Sequence, residues 1–221
     1  MTGRSEAAAT ARTHNHYGQR IGSKGERTRQ ALIETTVRLL ERHGLREVSV
    51  ADVAREARTS PATFYVYFRG VPEVVLAALE NAAQTSPRLE ALMERDWLGP
   101  GGEAAARELV DEYTALWRRN ATIFRVRNLA AEEGDERFYR WRMAAGQPTM
   151  EWLSPKVAAA QAAGRLPANL DPRACVGTLL MMLERLSAIG PRGVGRDDSP
   201  DFDALKDAAA HTVAAMLGAR A

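Results

Sequence analysis

Cysteine is almost absent: Cys175 is the one thiol in 221 residues, which rules out an intramolecular disulfide and any cysteine-rich metal cage. A buried structural thiol is its expected role. Long apolar runs are missing too, and no stretch approaches the roughly 20 residues that a membrane span needs. Residues 1–20 are polar and hold no apolar signal core, so neither secretion nor a membrane partner is expected and the cytoplasm is the compartment read from the sequence. Strand-like alternation and internal repeats are lacking. So are an H-E-x-x-H pair, a Gly-rich phosphate loop and a nucleophile motif. His14 and His16 are spaced too loosely to argue for a metal, and no metal or cofactor is expected. Aromatics are scarce at 6%, while 45% hydrophobic and 26% charged residues are the ordinary balance of a soluble globular protein.

What is present is charge, unevenly spread. Residues 1–70 carry 12 Lys and Arg against 7 Asp and Glu, and residues 71–221 carry 18 against 21. Arg4, Arg12, Arg20, Lys24, Arg27 and Arg29 crowd the first thirty residues. They read either as a solvated tail or as a basic arm that neutralises phosphates and adds a salt-dependent, sequence-independent contribution to nucleic-acid affinity.

After residue 25 almost everything reads as helix, so the fold class is all-α. Ile33, Val37 and Leu40, with Leu32, Thr36, Leu39 and His43 alongside, repeat at the spacing of one helical face, and Gly44 is the expected stop. Ser49 with Asp52 three residues on is a capping-box pair that opens a short helix with Val53, Ala54 and Ala57 inward. Arg58 and Thr59 make a tight connection. Ser60 then Pro61 is an N-cap followed by a first-turn proline, which predicts a helix to about Tyr67. Gly70 breaks it, and Pro72 opens the next helix. Pro87 and the Gly99-Pro100-Gly101-Gly102 stretch are breaks. Further helices are expected over 103–119, 121–131, 135–163 with interruptions near Pro148 and Pro155, 171–188 and 202–217.

Two short helices joined by about three residues, within 46–69, form a helix-turn-helix layout. The second helix begins with small and hydroxylated residues, Ser60, Pro61, Ala62 and Thr63, as it must if its N-terminal turn is to approach base edges in the major groove. Free N–H groups there suit a phosphate. Phe64 and Phe68, one turn apart, should face inward and leave Thr63, Tyr65, Tyr67 and Arg69 facing out. Hydroxyls of that set can bond a phosphate oxygen or a base edge, and Arg69 can grip a phosphate with two N–H groups. Read alone, Tyr65 and Tyr67 are equally at home as core aromatics of a helical bundle.

The run VSVADVAREARTSPATFYVYFRGVPEVVLAAL, with its aromatic-rich end, resembles the N-terminal domain of TetR-family regulators over about residues 26–80. The resemblance implies a three-helix DNA-binding domain on a helical effector-binding and dimerisation domain, working as a homodimer on a palindromic double-stranded operator. By position the DNA contacts implied are Ser49, Thr59, Ser60, Pro61, Ala62, Thr63, Tyr65 and Tyr67, with phosphate help from Lys24 and Arg27. The expected organisation is an arm at 1–22, a reading domain at 23–70 and a regulatory domain at 71–221. Two positions depart from the family pattern. Arg58 occupies the turn where glycine is usual, so either the turn differs or Arg58 adds a phosphate contact, and Gly70-Val71-Pro72 stands where a lysine usually opens the fourth helix.

The LLMMLERLSA segment resembles the branch that includes the mycobacterial ethionamide-resistance repressor, and implies an elongated apolar tunnel for a small apolar effector. Trp97, Trp117, Phe124, Trp141, Met143, Trp152 and Met181 are candidate lining residues, although residues of these types taken singly are more often core than pocket. Glu184 is a candidate polar anchor, or equally a residue of a helix-dimer interface or of a solvent face paired with Arg185. The last two helices, 173–188 and 202–217, are the implied homodimer interface, and the pattern of Ala204, Ala208, Val213 and Leu217 permits close helix packing. Two rivals stand beside this reading. One is an effector-independent DNA-binding or architectural protein. The other is an enzyme using Glu132, Glu133, Asp135, Glu136 and His211, against which the acidic run reads as a solvated turn beside Gly134.

Overall fold

The structure, a computed structural model, describes residues 22–82, 87–191 and 200–219. The expected arm, Gly22 apart, and most of the 190–200 loop lie outside the described residues. Among those described there are ten helices and no strand: α1 (Ser23–Leu40), α2 (Val50–Glu56), α3 (Pro61–Tyr67), α4 (Val71–Ala82), α5 (Pro87–Glu94), α6 (Gly102–Arg119), α7 (Ala121–Glu132), α8 (Glu136–Ala162), α9 (Pro172–Ile189) and α10 (Phe202–Met216). Among the described residues no single helix is long and apolar enough to cross a membrane.

The chain packs as two compact units. The first gathers the described residues up to 82 together with Thr122–Trp141, and the second gathers 87–121, 142–191 and 200–219. Chain order alone suggests a boundary at residue 70, but packing draws most of α7 and the opening turns of α8 into the first unit.

In the first unit α1 packs on α2 and α4, and α2 packs on α3. The buried stripe of α1 is Leu32, Ile33, Thr35, Thr36, Leu39 and Leu40; Val37 is half-buried and His43 is exposed, so the face is rotated slightly from the one the periodicity predicts. Thr36 sits in that stripe because its hydroxyl donates to the Leu32 carbonyl at 2.8 Å, which removes the cost of burying it. Gly44 does not end α1 through a left-handed turn: its φ is not positive, and its N–H instead donates to the Glu47 carboxylate. Arg29, counted with the basic arm, is buried with its guanidinium 5.1 Å from the Phe68 ring centre, a cation–π contact that draws it inward. Arg127 is likewise buried, stacked on Phe124 at 5.0 Å and Trp141 at 5.7 Å.

The acidic run at the α7–α8 turn is balanced by arginines. Glu133 meets Arg46 at 2.9 Å, Asp135 meets Arg137 at 2.6 Å and Glu136 meets Arg140 at 3.6 Å.

In the second unit α6 is the central element, with α5, α9 and α10 packed against it. Ala105, Ala106, Leu109 and Val110 of α6 meet Val176, Leu179, Leu183, Val213 and Leu217 in one buried cluster. Val213 and Leu217 therefore belong to this core, whereas Ala204 and Ala208 are exposed, so the small-residue pattern of α10 divides between two faces. Cys175 is buried in the same cluster, as expected. α8 runs unbroken through Pro148 and Pro155, against the interruptions the sequence predicts. Each proline removes one helical N–H, and the partial or full exposure of both residues leaves water access to the carbonyls they free.

Phe64 is wholly buried and Phe68 nearly so, with ring centres 5.9 Å apart. Phe64→Ala is expected to cost about 3–5 kcal/mol. A lowered denaturant midpoint for the first unit, with the second unit's transition unmoved, is the result that checks it.

Candidate nucleic-acid interface

Local chemistry fixes the two short helices at both ends. Ser49 caps α2, accepting from the Asp52 N–H, while the Asp52 carboxylate takes the Ser49 N–H and hydroxyl in return, the reciprocal box the sequence predicts. The Ser49 hydroxyl, then the Arg55 guanidinium at 2.6 Å, holds the Asp52 carboxyl below its ordinary pKa. Ser60 caps α3 by accepting from the Thr63 N–H at 3.1 Å, and its hydroxyl lies 3.0 Å from that of Thr63. With one O–H used between them, the pair keeps one O–H to donate outward.

The turn between these helices closes with a left-handed residue despite the Arg58 side chain. The Arg58 N–H donates to the Arg55 carbonyl at 3.1 Å and the Thr59 N–H to the Ala54 carbonyl at 2.9 Å, the paired 5→2 and 6→1 bonds of a Schellman end. That closure needs a left-handed residue at Arg58, whose φ is 53°. For a residue with a Cβ this conformation costs on the order of 1 kcal/mol.

The resulting surface brings most of the predicted reading residues together. Ser60, Pro61 and Ala62 are exposed and Thr59, Thr63 and Tyr67 half-buried. Tyr65 is 47% exposed, its ring edge-on to Phe64. Lys24, Arg27, Arg58 and Arg69 are exposed. Ser49 is exposed as well, but its N–H and hydroxyl are both committed to Asp52. At the start of α4 the Glu73 carboxylate accepts the Arg69 N–H at 2.6 Å. Among the other arginines of this region, Arg42 pairs with Glu56 at 3.3 Å and Arg55 with Asp52.

The residues predicted to line an effector pocket divide between the two units. Phe124 and Trp141 flank Arg127 in the first unit. Trp97 and Trp117 are buried in the second unit, and Trp152 is partly buried there. Met143 is 44% and Met181 67% exposed, and Glu184 is half-buried. The second unit does contain a cavity, between α5, α6, α8, α9 and α10. Met93, Leu109, Leu153 and Leu179 are among its lining residues, of which only Tyr113 and Thr149 bear polar groups and none is charged. Its volume is about 10 Å³, room for about one water molecule. Aromatic and Met content did not point to these residues; the inward stripe of α9, Val176, Leu179, Leu180 and Leu183, is the signal that could have.

A capped two-helix reader on an all-helical body defines the class of helix-turn-helix regulators. Residues 32–78 match the family described as bacterial regulatory proteins, tetR family, and residues 89–195 match the tetracyclin repressor-like C-terminal domain. The chain belongs to the TetR family, and it is a DNA-binding transcriptional regulator rather than an enzyme. No curated protein matches it in sequence. Solved structures share the fold. The fatty acid degradation regulator FadR from Bacillus halodurans aligns with a TM-score of 0.65 at 16% identity, covering 89% of this chain and 97% of its own. FadR from Bacillus subtilis, in complex with stearoyl-CoA, aligns at 0.63 and 14%, covering 83% and 96%. A TetR-family regulator from Rhodococcus sp. aligns at 0.63 and 17%, covering 86% and 99%.

Because the Asp52 pKa is lowered in the folded chain, the stabilisation it brings is present above its unfolded value and lost as pH falls through the folded one. Ser49→Ala is expected to move that titration upward. NMR of the Asp52 carboxyl reads it, and an unmoved titration would show that Ser49 is not the cause.

Proposed function

We propose that the chain is a homodimeric repressor that reads a palindromic operator through α3 and is released from it by a small, uncharged, apolar effector. The observation that carries the DNA half is the exposed first turn of α3, backed by the buried Phe64 and Phe68. Thr59 to Thr63, Tyr65 and Tyr67 would meet bases and nearby phosphates. Lys24, Arg27, Arg58 and Arg69 would meet phosphates only, and Ser49 would act through α2's first-turn N–H groups, which lack helical partners. A chain acting on DNA in this way would work in the cytoplasm.

For dimerisation the support is the outward face of the last two helices. Ala174, Thr178, Met181 and Arg185 of α9 and Ala204, Ala208, Thr212 and Ala215 of α10 are exposed at helical spacing. Small side chains there let a second copy approach closely. A two-fold pair would set its readers about 34–36 Å apart, or a multiple of it, to match successive turns of B-DNA.

For the effector the support is the uncharged lining of the cavity. At about the size of one water it is too small for an effector, so a ligand has to part the surrounding helices to fit. Such a ligand shifts the DNA-binding equilibrium by its differential affinity for the opened state and no more. The same small volume favours the second reading, a DNA binder that answers to no effector. Stearoyl-CoA, held by the Bacillus subtilis FadR, carries an acyl chain of suitable character, but its phosphates would find no cation among the lining residues.

Footprinting on the DNA flanking the chain's own gene is expected to protect a palindrome, and an asymmetric or absent footprint would overturn the dimeric reading. Tyr65→Ala is expected to weaken operator binding by about 1–3 kcal/mol, roughly 5- to 150-fold, with the fold intact by circular dichroism. Val176→Ile, which adds one methylene to the cavity wall, is expected to leave operator binding in place and weaken release by apolar ligands. Release of DNA that is insensitive to this change would place the effector elsewhere, and no release of the wild-type complex would select the effector-free reading.

A further inference from the structure

We infer that Arg58 is a phosphate anchor kept at a strained backbone position beside the reading helix. The inference rests on the DNA-reading function proposed above and assigns a specific role within it. Four helix ends among the described residues close with the same paired bonds and a left-handed residue. Three of them use Gly134, Gly164 and Gly218, with φ of 92°, 69° and 77°, and the fourth uses Arg58. A side chain retained where glycine is the relaxed choice points to a use for that side chain.

Nothing among the described residues uses it internally. Arg58 is exposed and forms no ion pair with them, whereas Arg42 and Arg55 on the neighbouring turns lie against Glu56 and Asp52. Its position is set by the Thr59 N–H bond to Ala54, and it stands two residues before the Ser60 cap of α3. The guanidinium therefore leaves the backbone beside the exposed first turn of the reading helix.

The test measures binding of the full-length chain to a mixed-sequence DNA duplex across a salt series, for the wild type and for Arg58→Gly, Arg58→Gln and Arg58→Lys. A phosphate contact acts on any sequence, so the operator need not be known. Arg58→Gly and Arg58→Gln are expected to weaken binding uniformly and to flatten the slope of log affinity against log salt by about one, with Arg58→Lys keeping the wild-type slope. Arg58→Gly is also expected to melt at a higher temperature than the wild type, so that the more stable protein is the poorer binder. Wild-type slope and affinity in the Gly and Gln variants would overturn the anchor and leave the DNA-reading function standing. A melting temperature that does not rise in Arg58→Gly would overturn the strain. Failure of the wild type to bind the duplex at low salt would overturn both the anchor and the function it rests on.

Discussion

A helix of seven residues does not hold itself together in water, where isolated helices shorter than about 12–15 residues are marginal. α3 is such a helix, and its shape depends on the two phenyl rings it buries. Phe64 and Phe68, one turn apart, fix both its helicity and its rotation about its own axis, and Arg29 lies over Phe68 from α1. With that rotation set, the outward side of α3 is decided as well. Tyr65 is presented to solvent because Phe64 is not. The capped Ser60 turn then holds the first residues of the helix in one arrangement before any partner arrives.

Electrostatics at this surface is governed more by pairing than by the count of basic residues. Twelve Lys and Arg in the first seventy residues overstate the positive field the described structure presents. Arg29 is turned inward, Arg42 and Arg55 are matched by carboxylates, and Arg46 is spent on Glu133. Exposed pairs of this kind contribute little to stability. Among the described residues their larger effect is to narrow the sites at which an anion is attracted, and Lys24 and Arg27 at the start of α1 and Arg58 in the turn are among those kept.

The parts of the molecule legible from sequence are those whose cause is local. The Ser49–Asp52 box, the Ser60–Pro61 start and the inward Phe64 and Phe68 each depend on residues within four positions of one another, and all stand where the pattern puts them. What the pattern misjudges is set by partners distant in the chain. Arg29 sits in a basic stretch and is claimed by an aromatic ring 39 positions later. Val213 and Leu217 share a repeat with Ala204 and Ala208 yet face the opposite way, because α6 lies on one side only. The prolines of α8 break a local rule without breaking the helix. Pocket residues were the least legible: aromatic and Met content identifies apolar side chains, while a cavity is defined by which helical faces converge.

The four tryptophans divide unequally. Trp141 is the one in the first unit, packed beneath Arg127, and Trp97, Trp117 and Trp152 belong to the second. Replacing those three with phenylalanine would leave an emission signal belonging to the DNA-reading unit alone, and the converse replacement would leave one belonging to the unit with the cavity. The chain thus carries a separate optical label for each of its halves, so the response of one can be followed without a dye while the other is occupied.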